Sequence, residues 1–322
     1  MNKVRWGLIG CGDIARKRVA PALRDADSSQ LSAVSRAQAN LAESFAKEFD
    51  AARWHSAWRD LLNDKIDAVY IATPVHLHAA QCIAAAQAGR HVLCEKPMAM
   101  SPDECEQMIA ACRANNVKLG IAYYRHFYPV VERIKQIISA GEIGKPVFVQ
   151  ANAFEWFNPK PAEPRSWLIN PELSGGGPMF DFGCHRIEVF LNLFGPILKT
   201  TAVTMNILFD REVEDTATAV FEFKQGICGT LTVSHAVHEP QDTLQIFGSG
   251  GSIHLPVLNE GRMKIVNRDD VREELHRPAL NIHQPLVQDF VDSVLYGREP
   301  RVCGEIGKAV AEVEQQIYTH AR

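Results

Sequence analysis

The chain has 322 residues, with 34 Lys and Arg against 38 Asp and Glu, a formal charge of −4. Single cores seldom grow past about 250–300 residues, so two domains are expected, and the charge balance offers no basic field of the kind nucleic acid requires. No apolar run approaches the ~20 residues of a membrane span, and the first strand-like run starts almost at Met1, so no signal peptide is expected and a cytoplasmic, small-molecule protein is.

In chain order, residues 4–9, 31–35, 68–71, 91–94 and 118–121 read as strands, and 13–25, 39–49, 78–88 and 102–115 as helices. Short apolar runs alternating with amphipathic segments mark a parallel sheet covered on both faces. Ser101-Pro102-Asp103-Glu104 opens the last of these helices with an N-cap, a proline at the first helical position and a capping-box glutamate. After about residue 122 the pattern changes. Helices 129–139 and 179–194 flank a strand at 147–154 and a loop rich in Pro and Trp. Runs rich in β-branched residues at 200–209, 216–223, 227–234, 243–247, 252–255 and 263–266 then read as one sheet, and helices at 284–295 and 305–320 close the chain. The fold expected is α/β, a Rossmann doubly wound parallel sheet over 1–122 followed over 123–322 by an α+β domain with a large, mainly antiparallel open sheet.

Eight cysteines occur without a C-x-x-C pair, which predicts reduced, mostly buried thiols rather than a zinc ribbon or a disulfide framework. His76 and His78 would point the same way only on a strand, and they fall at a helix start, so no metal site is expected.

The first chemical motif is Gly10-Cys11-Gly12-Asp13-Ile14-Ala15, placed after a strand and opening a helix. Gly10 permits the tight turn, Gly12 lets the backbone approach a pyrophosphate, and Ala15 lets helix and strand pack closely. The N–H groups at this helix start, around Cys11, Asp13 and Ile14, then face the phosphates. At the end of the second strand an NAD-preferring domain carries Asp or Glu, whereas this chain has Ser35-Arg36. A guanidinium there binds a 2′-phosphate, so NADP is expected over NAD; the alternative is that Arg36 is a plain surface charge.

Cys94-Glu95-Lys96-Pro97 ends a strand at the mouth of the sheet, where Lys96 can touch both cofactor and substrate. The stretch Gly175-Gly176-Gly177-Pro178-Met179-Phe180-Asp181-Phe182-Gly183-Cys184-His185 places Asp181 and His185 four apart at a helix start. A carboxylate beside an imidazole fixes its tautomer, and the imidazole, with an ordinary pKa of ~6.5, exchanges protons near neutral pH. The alternative is an aspartate on the helix dipole beside an unrelated buried histidine.

Ala72-Thr73-Pro74-x-His76-x-His78, Cys94–Pro97, the run Gly141-Glu142-Ile143-Gly144-Lys145-Pro146, and Gly175–His185, in this order, resemble the glucose-fructose oxidoreductase / inositol dehydrogenase family, known as Gfo/Idh/MocA. The resemblance covers essentially the whole chain. It implies hydride transfer between a nicotinamide and a sugar, polyol or related carbonyl/alcohol, and a second-domain sheet that serves in substrate binding and in assembly as a homodimer or homotetramer. It also implies that Lys96 hydrogen-bonds the reacting oxygen, that His185 is the general acid/base and that Asp181 positions the histidine or substrate. Thr73, Pro74, His78 and Glu95 join the cofactor residues, and the Lys96–Pro97 bond is cis. Two departures stand out: Val75 where the family has Asn, and Tyr124-Arg125-His126-Phe127 where it has Asn-Arg-Arg-Phe. Tyr124, Arg125, Trp156 and Trp167 are the candidates to line the substrate pocket. The resemblance also admits a non-catalytic, sugar-sensing regulator; the retained Lys96, Asp181 and His185 argue against it.

Overall fold

The computed structural model describes residues 3–320. Its contacts divide the chain into two compact units, one ending at Tyr124 and also taking in Ala279–Ala311, the other spanning Arg125–Pro278 and resuming at Glu312.

In the first unit β1 (Val4–Ile9), β2 (Ser29–Ser35), β3 (Arg53–His55), β4 (Ala68–Ile71), β5 (His91–Cys94) and β6 (Leu119–Ile121) form a parallel sheet ordered β3-β2-β1-β4-β5-β6. Every residue of β4 is buried, as a sheet covered on both faces requires. The strand order reverses between β1 and β4, and ligands of such sheets bind at the carboxyl edge of that switch point. The expected helix over 13–25 contains a π-helical turn, Ala15–Val19, before Ala20–Asp25. The short edge strand β3 was not expected, because Arg53 and Trp54 are exposed and show no alternation.

Helix Gln284–Tyr296 belongs to this unit, whereas a boundary at residue 122 would assign it to the second domain. Its Phe290 packs 5.5 Å from the Trp6 ring, and a Cβ on Gly120 would lie 2.7 Å from Phe290.

In the second unit β7 (Pro146–Trp156), β8 (Ile197–Met205), β9 (Thr216–Phe223), β10 (Cys228–Ser234), β11 (Ala236–Gly248), β12 (Gly251–Leu255), β13 (Arg262–Asn267) and β14 (Val271–Leu275) form a sheet ordered β14-β13-β12-β11-β7-β10-β9-β8. Among the described strands, β7 and β10 are its one parallel pair. One face is buried: Phe221 and Phe223 meet Phe190 and Phe194 of helix Cys184–Phe194 edge-on. The other face leaves Val203 and Val220 exposed. Strand β8 stops at Met205 instead of running to 209, because the N–H groups of Ile207, Leu208 and Phe209 turn inward to the Asp215 carboxylate. The expected helix 179–194 begins with a π-helical turn, Met179–Gly183.

The eight cysteines are thiols not joined in disulfides among the described residues, with Cys228 exposed and Cys303 half-buried. Among the described residues no helix is long and apolar enough to cross a membrane.

Candidate functional site

The glycine turn sits at the switch point. Gly10 has φ +97°, and a Cβ there would lie 2.6 Å from the Ala72 carbonyl oxygen, so only glycine lets the loops after β1 and β4 close on each other. Gly12 differs: no heavy atom lies within 4 Å of the position its Cβ would take. That open space, and a following helical turn without a side-chain cap, fit the pyrophosphate of a dinucleotide. Asp13 and Ile14 are exposed beside it. Cys11 is buried, with Sγ 3.5 Å from the Ser35 carbonyl oxygen, and burial pushes its thiol up to about 12, so it serves as packing. Ser35 is buried as well, its carbonyl accepting the Gly10 N–H. Arg36 is half-buried and donates from Nη1 to the Cys11 carbonyl at 2.7 Å, which fixes the guanidinium against the glycine turn.

At the end of β5 the Lys96–Pro97 bond is cis. Glu95 lies beneath the half-buried Lys96 and receives three hydrogen bonds: from Tyr70 Oη at 2.8 Å, from His283 Nε2 at 3.3 Å and from the Lys96 N–H at 3.2 Å. Burial pushes the Glu95 carboxyl up, but the His283 and Tyr70 bonds and the Lys96 charge outweigh it, so the carboxyl lies below the usual range and stays ionised. Tyr70 and His283 carry no motif; topology alone brings them to Glu95. The Tyr124 ring lies tilted against the His283 ring, 5.1 Å between centroids.

The His78 ring is enclosed by backbone. It is 1% exposed, with Nδ1 2.9 Å from the Pro97 carbonyl oxygen and Nε2 2.8 Å from that of Thr73. The ring ties the loop after β4 to the turn after β5, and burial pulls its pKa down. Thr73 Oγ1 donates to Gln81, and Pro74 leads into the short helical turn Val75–Leu77.

In the second unit the triple glycine answers to packing. A Cβ on Gly177 would lie 2.2 Å from the Glu214 carbonyl oxygen, and one on Gly176 would lie 2.3 Å from Tyr318 Oη. Glu214 accepts from the N–H groups of Gly177 and Met179 and from Tyr318 Oη; burial nonetheless pushes its carboxyl above the usual range. The glycines thus lock the entry to the helix carrying Asp181 and His185. His185 is buried, 3% exposed. Asp181 is joined by two residues the motifs do not contain: Glu155, Asp181 and His235 bring ligand atoms within 4.8 Å of one another. Arg165 Nη2 lies 3.7 Å from Glu155 and 3.9 Å from Asp181.

Such a trio resembles a metal centre, but the imidazole has the wrong tautomer for one. Arg211 Nη2 lies 3.0 Å from His235 Nδ1. Arginine only donates, so Nδ1 is the acceptor and Nε2, on the carboxylate side, carries the proton.

The proposed lining residues differ in exposure. Trp156 is 54% exposed, edge-on to Phe209 and His238; Trp167 is half-buried in the helical turn Ser166–Ile169. Arg125 is buried, its charge felt by Asp242, which also pairs with Arg186.

The comparisons with known proteins cover both units. Residues 4–123 match the oxidoreductase family with an NAD-binding Rossmann fold, and residues 131–254 match the GFO/IDH/MocA C-terminal domain. The uncharacterized oxidoreductase ORF334 of Rhizobium meliloti is 30% identical over 256 residues, 79% of this chain and 75% of that protein. The D-xylose 1-dehydrogenase [NADP(+)] of Haloarcula marismortui is 25% identical over 98% of this chain and 91% of its own length. Among solved structures, a levoglucosan dehydrogenase in complex with NADH and L-sorbose superposes with a TM-score of 0.91 at 25% identity, covering 100% of this chain and 97% of that one. With a glycine turn at the switch point, a lysine at the end of β5 and both halves matched, the chain belongs to the Gfo/Idh/MocA oxidoreductases.

Proposed function

We propose that the protein carries out reversible, NADP-linked hydride transfer to or from a sugar, polyol or related carbonyl/alcohol pair, NAD being the weaker cofactor. The observation that carries the cofactor choice is Arg36, held against the glycine turn at the strand end where an NAD-selective domain needs a carboxylate. A guanidinium there meets a 2′-phosphate through charge-assisted hydrogen bonds. Relatives named as D-xylose and levoglucosan dehydrogenases support a sugar-like substrate.

Cys11, Gly12, Asp13 and Ile14 hold the pyrophosphate with backbone N–H groups, and Gly10, whose own N–H is given to the Ser35 carbonyl, shapes the turn that presents them. Thr73 and Pro74 border the nicotinamide ribose, and His78 acts through them. The nicotinamide, when bound, supplies the hydride acceptor or donor. Lys96, steadied by Glu95, stabilises negative charge developing on the reacting oxygen. His185 gives or takes that oxygen's proton, with Asp181 orienting imidazole or substrate. Tyr124, Arg125, Trp156 and Trp167 are assigned to the substrate. The exposed face of the second sheet, with Val203 and Val220, is the surface proposed to pair copies into a homodimer or homotetramer; a monomer in sedimentation equilibrium would remove that assignment.

The test follows reduced-nicotinamide absorbance over a panel of sugars, polyols and dicarbonyls with NADP(H) and NAD(H). Turnover that favours NADP(H) and disappears in Lys96→Ala is expected. Tight cofactor binding with no turnover on any member would favour a sugar-sensing protein instead.

A further inference from the structure

We propose that His235 and Arg211 are positioning residues for Asp181, and that Glu155 is the second carboxylate of the same acid group, a role that presupposes Asp181 as the site carboxylate proposed above. The backbone fixes His235 first. The chain passes from β10 to β11 over the end of β7, and His235 is the crossing residue: its N–H donates to the Asp215 carbonyl at 2.7 Å and its carbonyl accepts from Phe157 N–H at 2.9 Å. The ring is 0% exposed, between Phe157 at 4.9 Å and Phe182 at 5.2 Å.

Its protonation follows from its neighbours. Arg211, which also donates to the carbonyls of Phe157 and Glu214, takes the lone pair on Nδ1. Nε2 therefore carries hydrogen. It has no hydrogen-bond partner among the described residues and lies 3.7 Å from Glu155 Oε1, beyond hydrogen-bond reach. Burial, then the Arg211 and Arg165 charges, pull the ring pKa down to about 3 against Asp181 and Asp215, so the donor stays neutral across the working pH range.

A buried N–H aimed at a carboxylate pair costs free energy unless a carboxylate turns to it. Glu155, at the end of β7, and Asp181, in the π-helical turn, are the acceptors in range. A donor fixed in this way favours the ionised carboxylate and limits its rotation. The charged groups around it are Glu155, Asp181, Arg165, Arg211 and Asp215.

The test needs no turnover to be read. In the intact protein labelled with 15N-histidine, His235 should show one protonated and one unprotonated nitrogen, unchanged between pH 5 and 9. Carboxyl-carbon titration should place the Asp181–Glu155 pair about one pH unit higher in His235→Leu than in wild type, and near the wild-type value in His235→Gln, whose amide N–H replaces Nε2–H. Arg211→Met should let the ring change tautomer and reproduce the leucine result. With a substrate in hand, His235→Leu should lose about 10–100-fold in kcat, with the acidic limb moved upward and KM nearly unchanged, and His235→Gln should recover most of it. Identical carboxyl titrations in wild type and His235→Leu would overturn the proposal, as would a ring nitrogen that shifts on adding Zn²⁺ or Mg²⁺. If the titrations move as expected and no panel member turns over, it is the catalytic reading of Asp181 that fails.

Discussion

The two sheets gather their candidate site residues at the carboxyl ends of parallel strands, by different means. In the first unit all strands run parallel, so the Gly10 turn, Arg36, Thr73 and Lys96 emerge along one edge. In the second, antiparallel neighbours send their ends in opposite directions, and only β7 and β10, in register at Phe154 and Ser234, deliver adjacent ends together. There Glu155 and His235 gather beside Asp181. Within a mainly antiparallel sheet, a parallel pair is thus where polar side chains converge.

The largest effects should come from the proton and charge carriers. Lys96→Ala and His185→Ala are each expected to lower kcat by about 10²–10⁴-fold, with NADP binding largely kept in His185→Ala; if kcat is unchanged in both, the assignment of the chemistry to these side chains is wrong. The glycines sharpen the contrast between units. Gly177→Ala forces a Cβ onto the Glu214 carbonyl and should destabilise by about 1–3 kcal/mol in denaturant titration. Gly12→Ala has room, so stability should change by less than about 0.5 kcal/mol while NADP affinity falls about tenfold or more. Equal stability losses in both variants would erase the distinction.

Comparable to the Gly177 loss is the effect of pH on the second unit. Burial pushes the Asp215 carboxyl up, but the N–H groups of Leu208, Phe209 and Ile207 pull it further down, so its pKa is depressed. A depressed carboxylate stabilises the fold above its unfolded pKa of about 3.9 and loses that stability as pH falls through the lower folded value. Asp215→Asn should therefore lower Tm at pH 7, by the equivalent of about 1–3 kcal/mol, with the gap to wild type closing below about pH 4.

Much of the first unit was legible because its strands are short, apolar and punctuated by turns; β4 and β5 fall on the residues expected. Edge strands were not: β3 is largely exposed, and β14, Val271-Arg272-Glu273-Glu274-Leu275, carries alternating exposure on charged residues. The site divides in the same way. Lys96, Asp181 and His185 sit in local motifs, whereas Tyr70 and His283 meet Glu95 across 25 and 188 residues, a convergence that only topology specifies. Glu155 and His235 could have been found only from the parallel pairing of β7 and β10, which the alternation within each strand does not encode. His78 shows the converse: it sits in a local motif, yet its ring is buried between the Pro97 and Thr73 carbonyls, a placement that the motif does not specify.

The most direct measurement is calorimetric titration of NADP⁺ and NAD⁺ into wild type and Arg36→Ala. Tighter NADP⁺ binding by the wild type is expected, lost by about 10–100-fold in the variant, with NAD⁺ nearly unaffected. Equal losses for the two cofactors, or tighter NAD⁺ binding by the wild type, would contradict it.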